Sequence, residues 1–224
     1  MNGFMSYYPI FLDVQGKSCL VVGGGKVGAR KAFGLAGAGA QVRVVSLGFT
    51  PELEAASGGD ICLDKKEFDL SDLEGAGLVF AATDSVELNA WVRDAARERN
   101  ILCNIADGRD KGDFILPSTV KQGDLMIAIS TCGASPALAR KLRRQLSAEF
   151  GPEYGVMLTL MANVRKEMLA RGHDPDGHKE IFTALVDSDL PALIAAGDKN
   201  GVNGVLKQVL GDEFTFDELT ARSG

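Results

Sequence analysis

The chain has 224 residues, 46% of them hydrophobic and 24% charged, with 24 Lys and Arg against 30 Asp and Glu for a formal net charge of −6. These values exclude collagen-like, low-complexity and disordered chains, and at roughly 100–200 residues per domain they allow one large domain or a medium one with a satellite. The acid surplus argues against nucleic acid as a partner, because phosphate neutralisation needs Lys and Arg in excess over a large surface.

The first 16 residues lack the basic start and unbroken apolar run of a signal peptide, and no stretch approaches about 18 consecutive apolar residues. A cytoplasmic protein with no membrane partner is expected. Cys19, Cys62, Cys103 and Cys132 are scattered without Cys-x-x-Cys or a nearby His, so neither disulfides nor a metal site is signalled. The first three lie in strand-like apolar runs, where a free Cys acts as a small buried hydrophobe.

Ser18 to Val22 is a short apolar run ending in glycines, the form of a buried parallel strand. Lys26 to Ala38 reads as a helix with Ala29, Ala32, Phe33 and Ala36 on one face. Strands follow at Gln41–Ser46, Asp60–Leu63, Gly77–Ala82 and Ile101–Ala106, with a helix at Glu87–Arg99 whose Leu88, Val92, Ala95 and Ala96 share a face. Alternating strand and helix predicts an α/β, Rossmann-like doubly wound parallel sheet.

After residue 107 the texture changes. Phe114–Val120 and Asp124–Thr131 read as a hairpin turning through Lys121-Gln122-Gly123, and Ser135-Pro136 supplies an N-cap and a first-turn proline for the next helix. Helical periodicity then runs through Ala137–Phe150, Tyr154–Ala170, Lys179–Val186, Leu190–Ala196 and Val202–Leu210. Three parts are expected: a nucleotide-binding domain over 1–112, a hairpin and helix over 113–150 for dimerisation or substrate, and a small all-helical domain over 151–224.

Gly23, Gly25 and Gly28 fit Gly-x-Gly-x-x-Gly between a strand and a helix. There the first glycine makes the tight turn, the second admits a pyrophosphate, and the third lets helix and strand pack closely. The pattern points to NAD. The usual acidic residue at the tip of the second strand is replaced by Ser46, followed by Leu47. No Lys or Arg lies in Ser46–Thr50 to take a 2′-phosphate, which favours NAD over NADP, though Arg43 stands close by with its direction unset.

Asp107 follows the fifth strand, where ligands of open parallel sheets bind. It can be read as a general base or as a cap on the turn with Gly108. Thr131 to Ser135 forms a polar turn into a helix N-terminus, a candidate anion site, and the helix carries Arg140, Lys141, Arg143 and Arg144. These cations suit a ligand with many carboxylates; a solvated helix face is the plainer alternative. Asp174, Asp176 and Gly177 lie between His173 and His178, but Pro175 and the missing downstream ligands speak against a calcium loop, and neither histidine is given a role.

Six segments together carry a resemblance: Tyr8-Pro-Ile-Phe-Leu12, Val22-Gly-Gly-Gly-Lys-Val-Gly-Ala-Arg-Lys31, and Ala81-Ala-Thr-Asp84 with Leu88-Asn89; then Cys103-Asn-Ile-Ala-Asp107, Phe114-Ile-Leu-Pro-Ser118, and Ser130-Thr-Cys-Gly-Ala-Ser-Pro136 running into Ala139-Arg140. In order and spacing they resemble the precorrin-2 dehydrogenase and sirohydrochlorin ferrochelatase family, the N-terminal module of siroheme synthase. The likeness is close over about 7–150 and loose beyond. It implies oxidation of precorrin-2 to sirohydrochlorin with NAD, and in some members insertion of Fe2+ to give siroheme. By position, Asp107 becomes the catalytic aspartate, and Gly23, Gly24, Gly25, Lys26, Val27, Gly28, Ser46, Leu47, Thr83 and Asp84 become cofactor contacts. Thr131, Ser135, Arg140, Lys141, Arg143 and Arg144 become substrate contacts, with Arg109 and Lys111 as further candidates. Family members also lack an acid at the second-strand tip, and Thr131 replaces a serine found in some. A homodimer through the hairpin and helical segments is implied, and the chain is expected to leave no room for the methyltransferase domain fused in some relatives. A chelatase without dehydrogenation and a non-catalytic NAD-sensing module stay open beside the dehydrogenase; the intact glycines favour NAD binding, and Asp107 with a polyanion patch argues against a mere sensor.

Overall fold

A computed structural model of the chain describes residues 7–106, 112–171 and 178–221. The molecule divides into two compact units, 1–116 and 117–224. The hairpin and the helix that follows it fall in the second unit.

The first unit is a five-stranded parallel sheet of β1 (Ser18–Val22), β2 (Gln41–Ser46), β3 (Ile61–Lys65), β4 (Leu78–Ala81) and β5 (Leu102–Ile105), in the order β3-β2-β1-β4-β5. The doubly wound sheet is therefore the one its alternating elements predict. Strand periodicity divides β1 between the faces: Cys19 and Val21 pack with Val42, Val44 and α1 (Lys26–Ala36), while Leu20 and Val22 pack with Val45, Val79 and α3 (Val86–Glu98). Both faces are covered, so β1 is apolar on each.

Helix α1 buries Gly28, Ala29, Ala32 and Leu35. Phe33, expected inward, is exposed, because the sheet-facing stripe follows the 28-32-35 spacing and Phe33 lies to its side. In α3, Asn89 replaces Leu88 as the fully buried member of the face. Cys19 and Cys103 are buried as expected, but Cys62 is exposed, since it lies on the edge strand β3. Two short elements add to the sequence reading: α2 (Pro51–Ala55), capped by Thr50, and a 3₁₀ turn at Leu70–Leu73 capped by Asp69 and Asp72.

The second unit opens with the antiparallel hairpin β6 (Ser118–Gln122) and β7 (Leu125–Ile129). Its first strand starts at Ser118, four residues later than the expected Phe114. The carbonyl of Phe114 is engaged by Asn104, and Pro117 has no amide for a ladder. Then come α4 (Pro136–Glu149), α5 (Pro152–Ala170), α6 (His178–Val186), α7 (Leu190–Ala195), α8 (Lys199–Leu210) and α9 (Phe216–Ala221), the last not foreseen. Met157, Leu160, Val164 and Met168 recur at helical spacing on α5 and form a core with Leu185, Leu190, Val202 and Leu206. The hairpin turn abuts α5 so closely that a Cβ on Gly155 would stand 2.9 Å from the Gln122 carbonyl oxygen. Among the described residues, no helix is long and apolar enough to cross a membrane.

Candidate active site

The glycine turn lies at the carboxyl end of β1. The Gly23 amide donates to the Val45 carbonyl at 2.9 Å, and its φ of 116° is open only to glycine. A Cβ there would come 2.4 Å from the Ala82 oxygen; on Gly28 it would come 1.9 Å from the Gly23 oxygen. Gly24, a free position in the motif, is equally confined, because a Cβ would meet the Gly48 oxygen at 2.2 Å and the Phe49 ring at 2.6 Å. Gly25 differs: a Cβ would meet nothing within 4 Å. Three glycines are thus fixed by protein and the fourth faces open space, the arrangement a pyrophosphate needs. Gly25 is the N-cap of α1, no side chain caps it, and the first turn carries no acid, so its amides and the helix dipole are available to phosphate. The residues fit a dinucleotide. Lys26 and Val27 are exposed beside it.

At the tip of β2, Ser46 is half-buried and Leu47 exposed, and the Gly48 amide donates to Ser46 Oγ at 3.5 Å. Arg43 takes no part. Its guanidinium pairs with the buried Asp72 at 2.8 Å and with Asp64 at 3.3 Å, and also donates to the Asp72 carbonyl. Lys66 reaches the same Asp72 carboxylate at 2.9 Å. This settles the direction of Arg43, which β-strand alternation left open.

The loop after β4 reaches the glycine turn from the other side, with the Ala82 amide donating to the Val22 carbonyl at 2.8 Å. Asn89, 3% exposed, organises it: Asn89 Oδ1 accepts from the Thr83 amide at 3.1 Å and from Thr83 Oγ1 at 2.8 Å, while Asn89 Nδ2 donates to the Thr83 carbonyl at 2.9 Å. Ser85 caps α3 by accepting from the Leu88 amide. Asp84 is exposed at the tip. A polar residue among the apolar positions of a helix face is the signal that marks Asn89.

Asp107, Arg109 and Lys111 lie outside the described residues. Up to that point β5 is well held, the Ala106 amide donating to the Ala81 carbonyl at 2.9 Å. Burial, and secondarily the charge of Asp113, push the Cys103 thiol up to about 12, so it stays protonated. On α1, burial and then Arg30 lower the pKa of Lys31, whose ammonium stands 5.6 Å from the Phe80 ring centre.

In the second unit the polar turn is tightly made. Thr131 Oγ1 accepts from the Ser135 amide at 3.1 Å, Ser135 Oγ caps α4 through the Leu138 amide at 3.2 Å, and Cys132 and Gly133 take positive φ. Arg140, Lys141, Arg143 and Arg144 are all exposed, and none enters an ion pair among the described residues. Also among the described residues, no group of three or more His, Cys, Asp or Glu could hold a metal.

A 3-2-1-4-5 sheet with this glycine turn defines a dinucleotide-binding domain of the doubly wound class. A family model of NAD(P)-binding domains matches residues 10–118, and one for the central part of sirohaem biosynthesis proteins matches 122–149. Siroheme synthase 1 of Pectobacterium atrosepticum is 36% identical over 218 residues, covering 97% of this chain and 45% of that protein; siroheme synthase 1 of Aeromonas salmonicida is 37% identical over 211 residues, covering 93% and 45%. The solved structure of SirC, precorrin-2 dehydrogenase, superposes with a TM-score of 0.76 at 25% identity over 91% of this chain and 98% of that one. The chain belongs to the siroheme synthase N-terminal family. It spans about 45% of the length of the curated relatives it matches.

Proposed function

We propose that this chain is an NAD-dependent precorrin-2 dehydrogenase that yields sirohydrochlorin. The observation that carries this reading is the likeness to SirC over nearly that protein's whole length, at a fold whose glycine turn is shaped for a dinucleotide. NAD, when bound, supplies the hydride acceptor. The chain's own residues do the rest. The α1 amides and the open side of Gly25 receive the pyrophosphate, Ser46 and Leu47 the adenosine ribose, and the Thr83–Asp84 loop, held by Asn89, borders the turn. Asp107 accepts the proton that leaves the macrocycle as its hydride departs. Thr131, Ser135 and the four cations of α4 are the proposed partners of its many carboxylates.

The assay is to follow purified precorrin-2 spectrally with NAD. Stoichiometric NADH and sirohydrochlorin support the dehydrogenase, whereas NAD binding without turnover points to the sensing module. Ferrous ion added afterwards supplies the second arm: siroheme formed on the same protein assigns ferrochelatase activity, and its absence confines the enzyme to oxidation.

The proposed assembly is a homodimer through the hairpin and helical segment, in a cytoplasmic enzyme. The hairpin rests on α5 within its own unit but leaves Met126 exposed, an apolar side chain that a second copy could cover.

A further inference from the structure

Among the described residues, the half-buried lysines and arginines are Lys31, Arg43, Lys66 and Arg93. Arg43 pairs with Asp72 at 2.8 Å, Lys66 with Asp69 at 2.7 Å and Arg93 with Asp94 at 2.7 Å. Lys31 enters no ion pair among the described residues, and the charge that bears on it is a second cation, Arg30. A partly desolvated ammonium is unfavourable unless an anion meets it, and the Phe80 ring, its centre 5.6 Å away, compensates only in part.

The sheet defines where this ammonium stands. A Cβ on Gly28, one turn before Lys31 on α1, would lie 3.5 Å from Val21 Cγ1, and Val21 pairs in register with Phe80 on β4. Phe80 is followed by Ala81, the last residue of β4, and then by Ala82, whose carbonyl closes on Gly23. Lys31 therefore lies just below the glycine turn, on the side of β4 that faces α1. On the next strand Asn104 pairs with Phe80 and faces the same side, since Cys103 and Ile105 pack on the other. Asn104 is 6% exposed; its Nδ2 donates to the Phe114 carbonyl at 2.8 Å, and its Oδ1 is buried without a hydrogen bond. Apolar packing would line this wall more favourably, and such polar groups collect where function outweighs stability.

NAD offers no anion at this place. In the proposed mode its pyrophosphate meets the α1 amides and the open side of Gly25, and its oxidised nicotinamide ring is itself a cation. The tetrapyrrole carries many carboxylates. We infer that Lys31 is a substrate contact, holding one carboxylate of the tetrapyrrole beside the carboxyl end of β4. The inference rests on the proposed dehydrogenase reading. Unlike the exposed cations of α4, a half-buried ammonium is weakly screened by salt.

The test uses the full chain and reads KM for precorrin-2 together with Kd for its product, sirohydrochlorin, from fluorescence. For Lys31→Met both should rise about tenfold or more, the worth of a charge-assisted hydrogen bond, and the rise should persist at high salt. Lys31→Arg keeps the charge and should stay within about threefold of the parent. Kd for NAD should stay within about twofold in both. Because an unpaired, half-buried charge is removed, the denaturation midpoint of Lys31→Met should equal or exceed the parent's. Lys31→Gln serves if the methionine variant does not fold. Unchanged tetrapyrrole affinity in a folded neutral variant overturns the inference. So does a parallel loss of NAD affinity, which places the ammonium on the nucleotide, or a lowered midpoint, which marks a contact of the fold. A parent that binds sirohydrochlorin but forms no NADH from precorrin-2 removes the dehydrogenase reading instead, and the sirohydrochlorin Kd still decides the role of Lys31.

Discussion

Gly25 and Gly28 sit three residues apart, and one added methyl group has opposite consequences at the two. In Gly28→Ala the methyl would lie against the Gly23 oxygen, so overpacking should lower stability by roughly 1–3 kcal/mol, read as a fall in chemical-denaturation midpoint. In Gly25→Ala it projects into open space. That variant should melt within about 1 kcal/mol of the parent, yet bind NAD at least about tenfold more weakly in a fluorescence titration. Equal NAD affinity in Gly25→Ala would mean the pyrophosphate lies elsewhere. Asn89→Ala removes three hydrogen bonds to Thr83, leaving polar atoms unpaired, and should cost roughly 1–3 kcal/mol while also loosening NAD binding.

The cysteines allow a pH prediction. Burial raises the pKa of both Cys19 and Cys103, whereas Cys62 and Cys132 are exposed. An alkylating reagent should therefore label Cys62 and Cys132 quickly in the folded protein, and Cys19 and Cys103 only after denaturation, as peptide mapping would show. The unfolded Cys103 thiol ionises near 9.0 and the folded one at about 12. Its contribution to stability is fully present below about pH 9 and is lost progressively as pH rises towards 12, because the unfolded chain releases a proton that the folded chain keeps. Slow global labelling that does not accelerate across this window would contradict the burial of Cys103.

Among the elements, α4 invites the most direct test. Arg140, Lys141, Arg143 and Arg144 are exposed and enter no ion pair among the described residues, so if they are the proposed substrate contacts, each would contribute a screened interaction of about 0.2–1 kcal/mol. Arg140→Gln with Arg143→Gln should raise KM for precorrin-2 several-fold at low salt, shrink the effect at high salt, and leave NAD binding unchanged. A KM that does not move returns these residues to the role of a solvated face.

Element type was legible wherever burial imposes a period. The ends of β2 were read as they stand, because its apolar run is bounded by Gly39 and Gly48. Elements set by local polar chemistry were not: α2 depends on a Thr50 cap and Pro51, and the late start of β6 depends on Asn104 taking the Phe114 carbonyl. The site divides in the same way. Gly23, Gly25 and Gly28 announce themselves by spacing, whereas the confinement of Gly24 depends on Gly48 and Phe49 from the next crossover. The direction of Arg43 needed the buried Asp72, 29 residues away, which no periodicity links to it.

On the scale of the whole molecule, the sheet has an apolar core on each face and the helical unit has one of its own, while among the described residues the two hairpin strands pair only with each other. If the proposed homodimer forms, sedimentation equilibrium should give a species of twice the 23.7 kDa chain mass; a monomer at micromolar concentration would rule it out.

The central claim is that a nucleotide held by the glycine turn and a proton acceptor after β5 act on one substrate. It is tested most directly by measuring NADH formation from precorrin-2 in the parent and in Asp107→Asn, with NAD affinity measured on both. The account predicts one NADH per sirohydrochlorin in the parent, and turnover reduced by at least about a hundredfold in the variant with NAD affinity retained. Undiminished turnover in Asp107→Asn, or a parent chain that binds no NAD, would contradict it.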